Sequence, residues 1–264
     1  MRWWQAALSV TVAASISAAG PATAAQARID PVTALERSLV DGRGVRFFGV
    51  SGPEHVFRQR GVAEFRAGRV AAVDRIDADE PEKRDLIFPD RMYKTGHLPA
   101  AAFPPGKSWE IWKKHTDLGL ACGQIRLGDP ATMKAVLATT ASKRPAGRYD
   151  GTRTTLYQGT ISMGALYRVY PRLRISLFYK PTGKYAKYAK LPVSWRLWIG
   201  EDQLVRRCWS SHREPVIEPG LGVDETFPAV DDLRLSDWGI EPNIEPPPAD
   251  EVATIGELNL DALD

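Results

Sequence analysis

Short runs of alternating apolar and polar residues dominate the chain between residues 45 and 113. Gly, Pro and Asp separate these runs, which cover residues 45–50, 55–65, 69–76, 85–93 and 108–113. Such runs between turn-forming residues predict strands. The first half of the chain is therefore predicted to form an antiparallel meander.

Two segments show helical spacing instead. Residues 31–39 begin with Pro31 and place apolar side chains on one face. In the second, Asp129 can cap a helix that Pro130 opens, since Pro fits the first helical position. The pattern predicts a short helix over 31–39 and a second from Ala131 to Ser142, which would plug the sheet.

Two hairpins are predicted in the second half. Asp150-Gly151 is a tight-turn signal between two strand-like runs. Residues 191–209 form a further pair of strands around a turn at 200–202. In the first strand of this pair one face is apolar, formed by Val193, Trp195, Leu197 and Ile199.

The amino terminus has the features of a secretory signal. Arg2 precedes an uncharged apolar stretch from Ala6 to Gly20, and small residues follow it. A span of this length is short for a membrane anchor, which needs about 20 residues. We expect cleavage near Ala24 or Ala27, no lipid anchor because no Cys lies there, and a secreted protein in the extracellular or cell-envelope space.

Charge divides the mature chain. Residues 151–213 hold 12 basic and 2 acidic residues, whereas residues 214–264 hold one basic and 14 acidic residues. We therefore expect a folded domain over 28–213 and an acidic, Pro-rich segment over 214–264, partly packed on that domain with a frayed end. The split indicates either a basic surface for an anionic partner or an acidic tail that folds back.

A basic, aromatic stretch from Tyr167 to Lys190 could lie on anionic lipid headgroups or envelope polymers. A solvated hairpin with extended lysine stems is the alternative interpretation. The candidate residues for an anionic surface are Lys180, Lys184, Tyr185, Lys187, Tyr188 and Lys190.

No catalytic pattern is present. The chain has no G-x-S-x-G, H-E-x-x-H or Walker sequence, so we expect no enzyme and no cofactor. Cys122 and Cys208 are too few for a structural zinc site, and the four His residues show no ligand spacing, so no metal is expected. In an exported protein a cysteine pair is predicted to form a disulfide.

Several short motifs, taken in order, resemble a known family. They are Met92-Tyr93, Gly106 to Trp109, Gly128 to Pro130, Tyr149 to Tyr157, Leu191 to Ile199, Leu204 to Arg207, Leu235 to Gly239 and Pro246 to Val252. Together, over about residues 31–252, they are similar to exported actinobacterial lipoproteins of the LppX/LprG type, which have a LolA-like fold. The lipidated Cys of that family is absent, and the basic stretch is unusually long.

The resemblance implies an α+β fold in which a curved antiparallel half-barrel wraps around a few helices and encloses an apolar cavity. It also implies a carrier of lipids or other hydrophobic small molecules. Aromatic and aliphatic strand residues are the cavity candidates, namely Phe47, Trp109, Ile111, Trp195 and Leu197. The alternative is an envelope interaction protein with a filled core. Either would act as a monomer without binding nucleic acid.

Overall fold

The computed structural model describes residues 29–52, 57–113, 120–170, 186–215 and 226–263. Three α-helices lie within these ranges: α1 (Pro31–Ser38), α2 (Pro130–Leu137) and α3 (Met163–Val169). The strands are β1 (Gly44–Gly52), β2 (Phe57–Arg66), β3 (Arg69–Asp77), β4 (Arg84–Ile87), β5 (Met92–Thr95), β6 (Trp109–Trp112), β7 (Ala121–Cys122), β8 (Ile125–Arg126), β9 (Thr140–Tyr149), β10 (Thr152–Ser162), β11 (Pro192–Gly200), β12 (Val205–Pro215), β13 (Thr226–Ile240) and β14 (Val252–Thr254).

Twelve of these strands form one sheet in the order β14-β6-β5-β4-β3-β2-β1-β13-β12-β11-β10-β9. Neighbours pair antiparallel except β14 and β6, which are parallel. The two outermost strands, β14 and β9, are far apart in this order, so the curved sheet is not closed. The predicted fold class, an α+β protein with a curved open antiparallel sheet and a few helices, is confirmed.

Alternation along the strands gives the sheet two unlike faces. Phe47 is buried, with 4% of its surface exposed, whereas its neighbour Phe48 is 40% exposed. The face of Phe47, here called the core face, also carries Trp195 and Leu197 and packs with residues of all three helices in one apolar cluster. Phe48 lies on the opposite side, the outer face.

Local chemistry fixes the helix starts. The Asp30 side chain accepts hydrogen bonds from the Val32 and Thr33 backbone N–H groups, and Asp129 accepts one from Thr132. Pro occupies the first helical position in both, as the sequence predicted. Helix α1 matches its prediction to within one residue.

Helix α2 ends earlier than predicted. It stops at Leu137, and Ala141 and Ser142 lie in β9 instead. The Thr139 and Thr140 hydroxyls donate to the carbonyls of Val136 and Leu137, which occupies acceptors at the helix end. β-branched Thr also favours strand over helix, so the chain turns into β9 at this point.

The two predicted hairpins form, as β9–β10 and β11–β12. In β11 the four side chains predicted to share an apolar face are all buried. Helix α3 was not predicted. The Ser162 side chain caps it, and it packs against α2. Its buried residues Met163, Leu166 and Tyr167 have helical spacing, but seven residues are too few for that pattern to stand out.

The acidic segment contributes a central strand. β13 lies between β1 and β12, and the predicted domain boundary at residues 213 and 214 falls inside β12. Alternating Ala229, Leu233 and Leu235 on the core face hold β13 in the interior. Acidic residues occupy many of its other positions, and this composition masked the strand pattern.

Acids of this segment pair with bases from distant parts of the chain. The ion pairs are Asp232 with Arg207, Asp237 with Arg46 at 3.1 Å, Glu241 with Arg43 at 2.6 Å and Glu257 with Lys107 at 2.6 Å. The acidic segment therefore folds back on the molecule, but only one of these four bases, Arg207, belongs to the basic segment 151–213. None of the helices in the described ranges has the length and apolarity that a bilayer span requires.

If β13 is integral to the core, Leu233→Ala should lower the free energy of unfolding by about 2–5 kcal/mol, because it empties a filled apolar site. Leu233 is 2% exposed. Leu260, in the same acidic segment, is 52% exposed, and Leu260→Ala should cost less than about 1 kcal/mol. Urea unfolding measures both. Equal small effects would show that residues 226–240 are dispensable to the core.

Candidate functional site

The five cavity candidates separate into two groups. Phe47, Trp195 and Leu197 belong to the packed apolar cluster on the core face. Trp109 and Ile111 lie on β6, close to one edge of the sheet, and register places Ile111 in a row with Tyr93 on the outer face. The Arg84 guanidinium lies 6.0 Å from the Trp109 ring centre on the same side. The five side chains therefore do not surround one cavity.

The candidate anionic surface is described only in part. Lys180, Lys184 and Tyr185 lie outside the described residues. Of the remainder, Lys187 and Lys190 are exposed, whereas Tyr188 is buried and its ring lies 5.4 Å from the Lys187 ammonium. Tyr188 packs into the protein and is not available to a membrane surface.

A groove of about 900 Å³ lies on the outer face, where β1, β2, β3 and β13 meet the tip of the β9–β10 hairpin. Its floor consists of two cross-strand rows set by the strand register. One row runs from β13 to β3 through Arg234, Phe48, Arg60 and Ile76, and the other through Ser236, Arg46, Val62 and Asp74.

The wall of the groove is the hairpin tip, residues 148–150. The Tyr149 hydroxyl accepts a hydrogen bond of 3.0 Å from Arg207, and the Tyr149 ring contacts Trp198. The Asp150 carboxylate accepts from the Asp237 backbone N–H at 3.3 Å and lies 3.5 Å from the buried Arg206. These contacts hold the tip over the outer face, so the wall of the groove is fixed by several bonds.

Five arginines and two aspartates line this groove, and their pairing is uneven. Arg46 pairs with Asp237, Arg206 pairs with Asp202 and Asp150, and Asp74 is held by Arg84 at 2.8 Å. Arg60 and Arg234 on the floor have no acidic partner among the residues that the structure describes. Arg148 on the hairpin tip has none there either and donates to the Gly151 carbonyl at 3.4 Å. The floor of the groove therefore carries excess positive charge at Arg60 and Arg234.

Phe48 lies directly between the two unpaired arginines. It is the register partner of Arg60 on one side and of Arg234 on the other. Neighbouring strands are about 4.8 Å apart, so the two guanidinium groups rise from backbones roughly 10 Å apart across an exposed ring. A guanidinium binds carboxylate or phosphate through two parallel hydrogen bonds, and the ring offers an apolar contact beside it.

Sequence reasoning missed this groove. The available signal was a mixture of Arg with Phe and Val at the outward positions of 45–50 and 55–65. These strands are neighbours in the chain, but Arg234 comes from the acidic segment, which was predicted to lie outside the folded domain. Only the insertion of β13 beside β1 brings Arg234 into the same row.

Cys122 and Cys208 lie side by side in the core. Both are fully buried free thiols in this structure, and the Cys122 thiol donates to the Asp231 carbonyl at 3.7 Å. Burial, followed by the neighbouring Cys122 thiol, raises the pKa of the Cys208 thiol well above its ordinary value. The arrangement is compatible with oxidation to the disulfide that the sequence predicts, and that disulfide stays a prediction.

Comparisons with known proteins show a likeness in structure and none in sequence. No protein-family model matches this chain, and no curated protein matches its sequence. The structure is similar to the crystal structure of a LolA superfamily protein from Nitrosomonas europaea, with 13% identity over 81% of this chain and 95% of that chain and a TM-score of 0.28. We draw no function from a likeness of this size, and the LppX/LprG resemblance stays a prediction.

The cysteine pair gives a test with two stages. We expect the reduced, folded protein to react with iodoacetamide at least about tenfold more slowly than the unfolded chain, because burial disfavours the reactive thiolate. Alkylation followed by mass spectrometry measures both rates. In the second stage the folded protein is exposed to oxidised glutathione and then unfolded, and no thiol should titrate. Two thiols that remain titratable would contradict the disulfide.

Proposed function

We propose that this protein is an exported binding protein, not an enzyme, and that its outer-face groove takes an amphiphilic anion: an alkyl or acyl chain that ends in a phosphate or carboxylate. The observation that carries the proposal is the row Arg234–Phe48–Arg60, in which two arginines without acidic partners in the described chain flank an exposed aromatic ring. Export rests on the signal features at Arg2 to Ala27.

The size and lining of the groove suit such a ligand. Binding sites for small molecules occupy about 300–1,000 Å³ and combine apolar walls with a few placed polar groups. The groove, at about 900 Å³, falls in this range. Phe48, Val62 and Ile76 supply the apolar part of its floor.

Electrostatics favour an anion over a neutral lipid. An anion can pair with an arginine that has no acidic partner. Each charge-assisted hydrogen bond contributes about 1.5–3 kcal/mol to the binding free energy. Asp74 and Asp150 also line the groove, but each is already engaged by an arginine, Arg84 and Arg206 respectively. They therefore do not cancel the charge of Arg60 and Arg234.

A second candidate function is contact with an anionic envelope polymer, without a bound lipid. The filled core around Phe47, Trp195 and Leu197 favours it, because the cavity that the family resemblance implied is occupied there by side chains. The exposed Lys187 and Lys190 and the groove arginines would then form a basic surface. Such contact would weaken steeply with added salt and would need no apolar groove.

We expect the protein to bind dodecyl phosphate. Methyl phosphate lacks the alkyl chain and dodecyl maltoside lacks the anion, so each should bind at least about tenfold more weakly. The double variant Arg60→Gln/Arg234→Gln should lose about tenfold or more in affinity for dodecyl phosphate. Phe48→Ala should weaken the binding of dodecyl phosphate but not that of methyl phosphate. Calorimetric titration below the micelle concentration measures these affinities.

The control is Arg69→Gln, an exposed arginine outside the groove, which should change affinity by less than about twofold. Equal binding of dodecyl phosphate and methyl phosphate, with no effect of Phe48→Ala, would contradict an amphiphile site. Salt-sensitive binding of long-chain polyphosphate under those conditions would favour the second candidate.

A further inference from the structure

A second cavity, of about 360 Å³, lies at one end of the sheet on the core face. The ends of four strands, β1, β2, β12 and β13, and the β7–β8 turn build it. Asp231 comes from β13, His212 and Glu214 from β12, Phe57 from β2, and Gln124 from the turn. It is separate from the groove, since Asp231 and Arg234 point to opposite faces of β13.

Gly123 brings the β7–β8 turn close to this cavity. It has a φ of +56°, and a Cβ at this position would lie 2.5 Å from Asp231 Oδ2 and 2.8 Å from Ser210 Oγ. Only a residue without a side chain lets the turn approach so closely. The turn therefore seats Gln124 beside His212, with 3.5 Å between Gln124 Nε2 and His212 Nε2.

Polar atoms in this region lack hydrogen-bond partners among the described residues. They are Gln124 Oε1, His212 Nδ1 and Asp231 Oδ2, and the last two are 4.0 Å apart. His212 and Gln124 are both more than nine-tenths buried and both line the cavity. Buried polar atoms without partners cost stability, and such atoms concentrate where a ligand or ordered water completes the bonding.

The lining is acidic. Burial first, and then the charge of Glu214, raise the pKa of Asp231 to about 6. Arg126 nearby, the Gly123 backbone N–H and the Ser210 hydroxyl act in the opposite direction. Burial raises the pKa of Glu214 and lowers the pKa of His212 to about 4. Near pH 7 His212 is therefore neutral and Asp231 is ionised, so the cavity holds negative charge that Arg126 alone does not balance.

Two phenyl rings complete the lining, Phe57 and Phe227. The face of an aromatic ring attracts cations, and carboxylates beside aromatic rings are the usual surroundings of an organic ammonium group. A metal ion is disfavoured by geometry: no group of three or more His, Cys, Asp or Glu within the described ranges has the arrangement a metal ion needs. Hydrogen-bond acceptors together with two phenyl rings favour an organic cation over a metal ion.

We propose that this cavity binds a small organic ammonium ion, a primary amine in its protonated form, with Asp231 and Glu214 as counter-charges and Phe57 and Phe227 as the apolar contact. This site does not depend on the outer-face groove or on the proposed function.

Binding of n-butylammonium tests the proposal, with 1-butanol as a neutral ligand of the same chain length. Near pH 7 we expect butylammonium to bind at least about tenfold more tightly than 1-butanol, because only the cation pairs with the carboxylates. Its affinity should fall about tenfold or more between about pH 7 and pH 5, as Asp231 becomes protonated. Saturation-transfer NMR and calorimetry measure these affinities on the full chain.

Three variants locate the site. Asp231→Asn and Glu214→Gln should each reduce butylammonium affinity by about tenfold. Glu36→Gln, at an exposed position on α1, makes the same chemical change outside the cavity and should have no effect. The proposal is overturned if butylammonium and 1-butanol bind alike, if Asp231→Asn binds as the wild type does, or if calcium or zinc binds tightly and these variants abolish it.

A stability measurement distinguishes a direct loss of binding from a loss caused by misfolding. The pKa of Asp231 is raised from 3.8 to about 6 on folding, so the stability associated with its proton is present below about pH 3.8 and is lost as pH rises through about 6. Asp231→Asn should therefore have a higher urea midpoint than the wild type near pH 7 and the same midpoint near pH 3. A lower midpoint near pH 7 would show that Asp231 stabilises the fold instead of serving a ligand.

Discussion

The pairing of β13 with both β1 and β12 is the interaction on which the rest of the molecule depends. It joins the meander β1–β6 to the hairpins β9–β12, which otherwise share no strand ladder. β13 is 15 residues long, the longest strand described, and its core-face residues Leu233 and Leu235 enter the apolar cluster. Without it the sheet would be two separate pieces, each with an exposed apolar face and an unpaired edge.

Alternation along β13 places opposite chemistry on its two faces. Arg234 points outward into a groove that carries unpaired positive charge, and Asp231 points inward to a cavity that carries negative charge. Because successive side chains of a strand face opposite sides, the sheet separates the two sites by its own thickness. One backbone therefore positions a candidate anion site and a candidate cation site, and each can be removed by a substitution that leaves the other intact.

Both sites hold charge without an opposite partner, but the two settings differ. Arg60 and Arg234 are exposed and flank Phe48 without acidic partners in the described chain. Asp231 is ionised in a buried setting at neutral pH, which costs stability. Natural proteins tolerate such buried charge mainly where a ligand supplies the missing partner, which links the Asp231 cavity to binding. At the groove the link is the apolar ring held between two guanidinium groups.

The sequence by itself determined the local structure: the capped starts of α1 and α2, the strands of the meander, the β9–β10 and β11–β12 hairpins and the buried face of β11. Each depends on residues close in the chain, so a pattern can record it. The tertiary structure alone decided that α2 stops at Leu137, that residues 226–240 join the sheet and that Arg234 stands beside Phe48. These depend on which distant strand pairs with which, and strand pairing is set by burial over the whole fold and leaves no local signal.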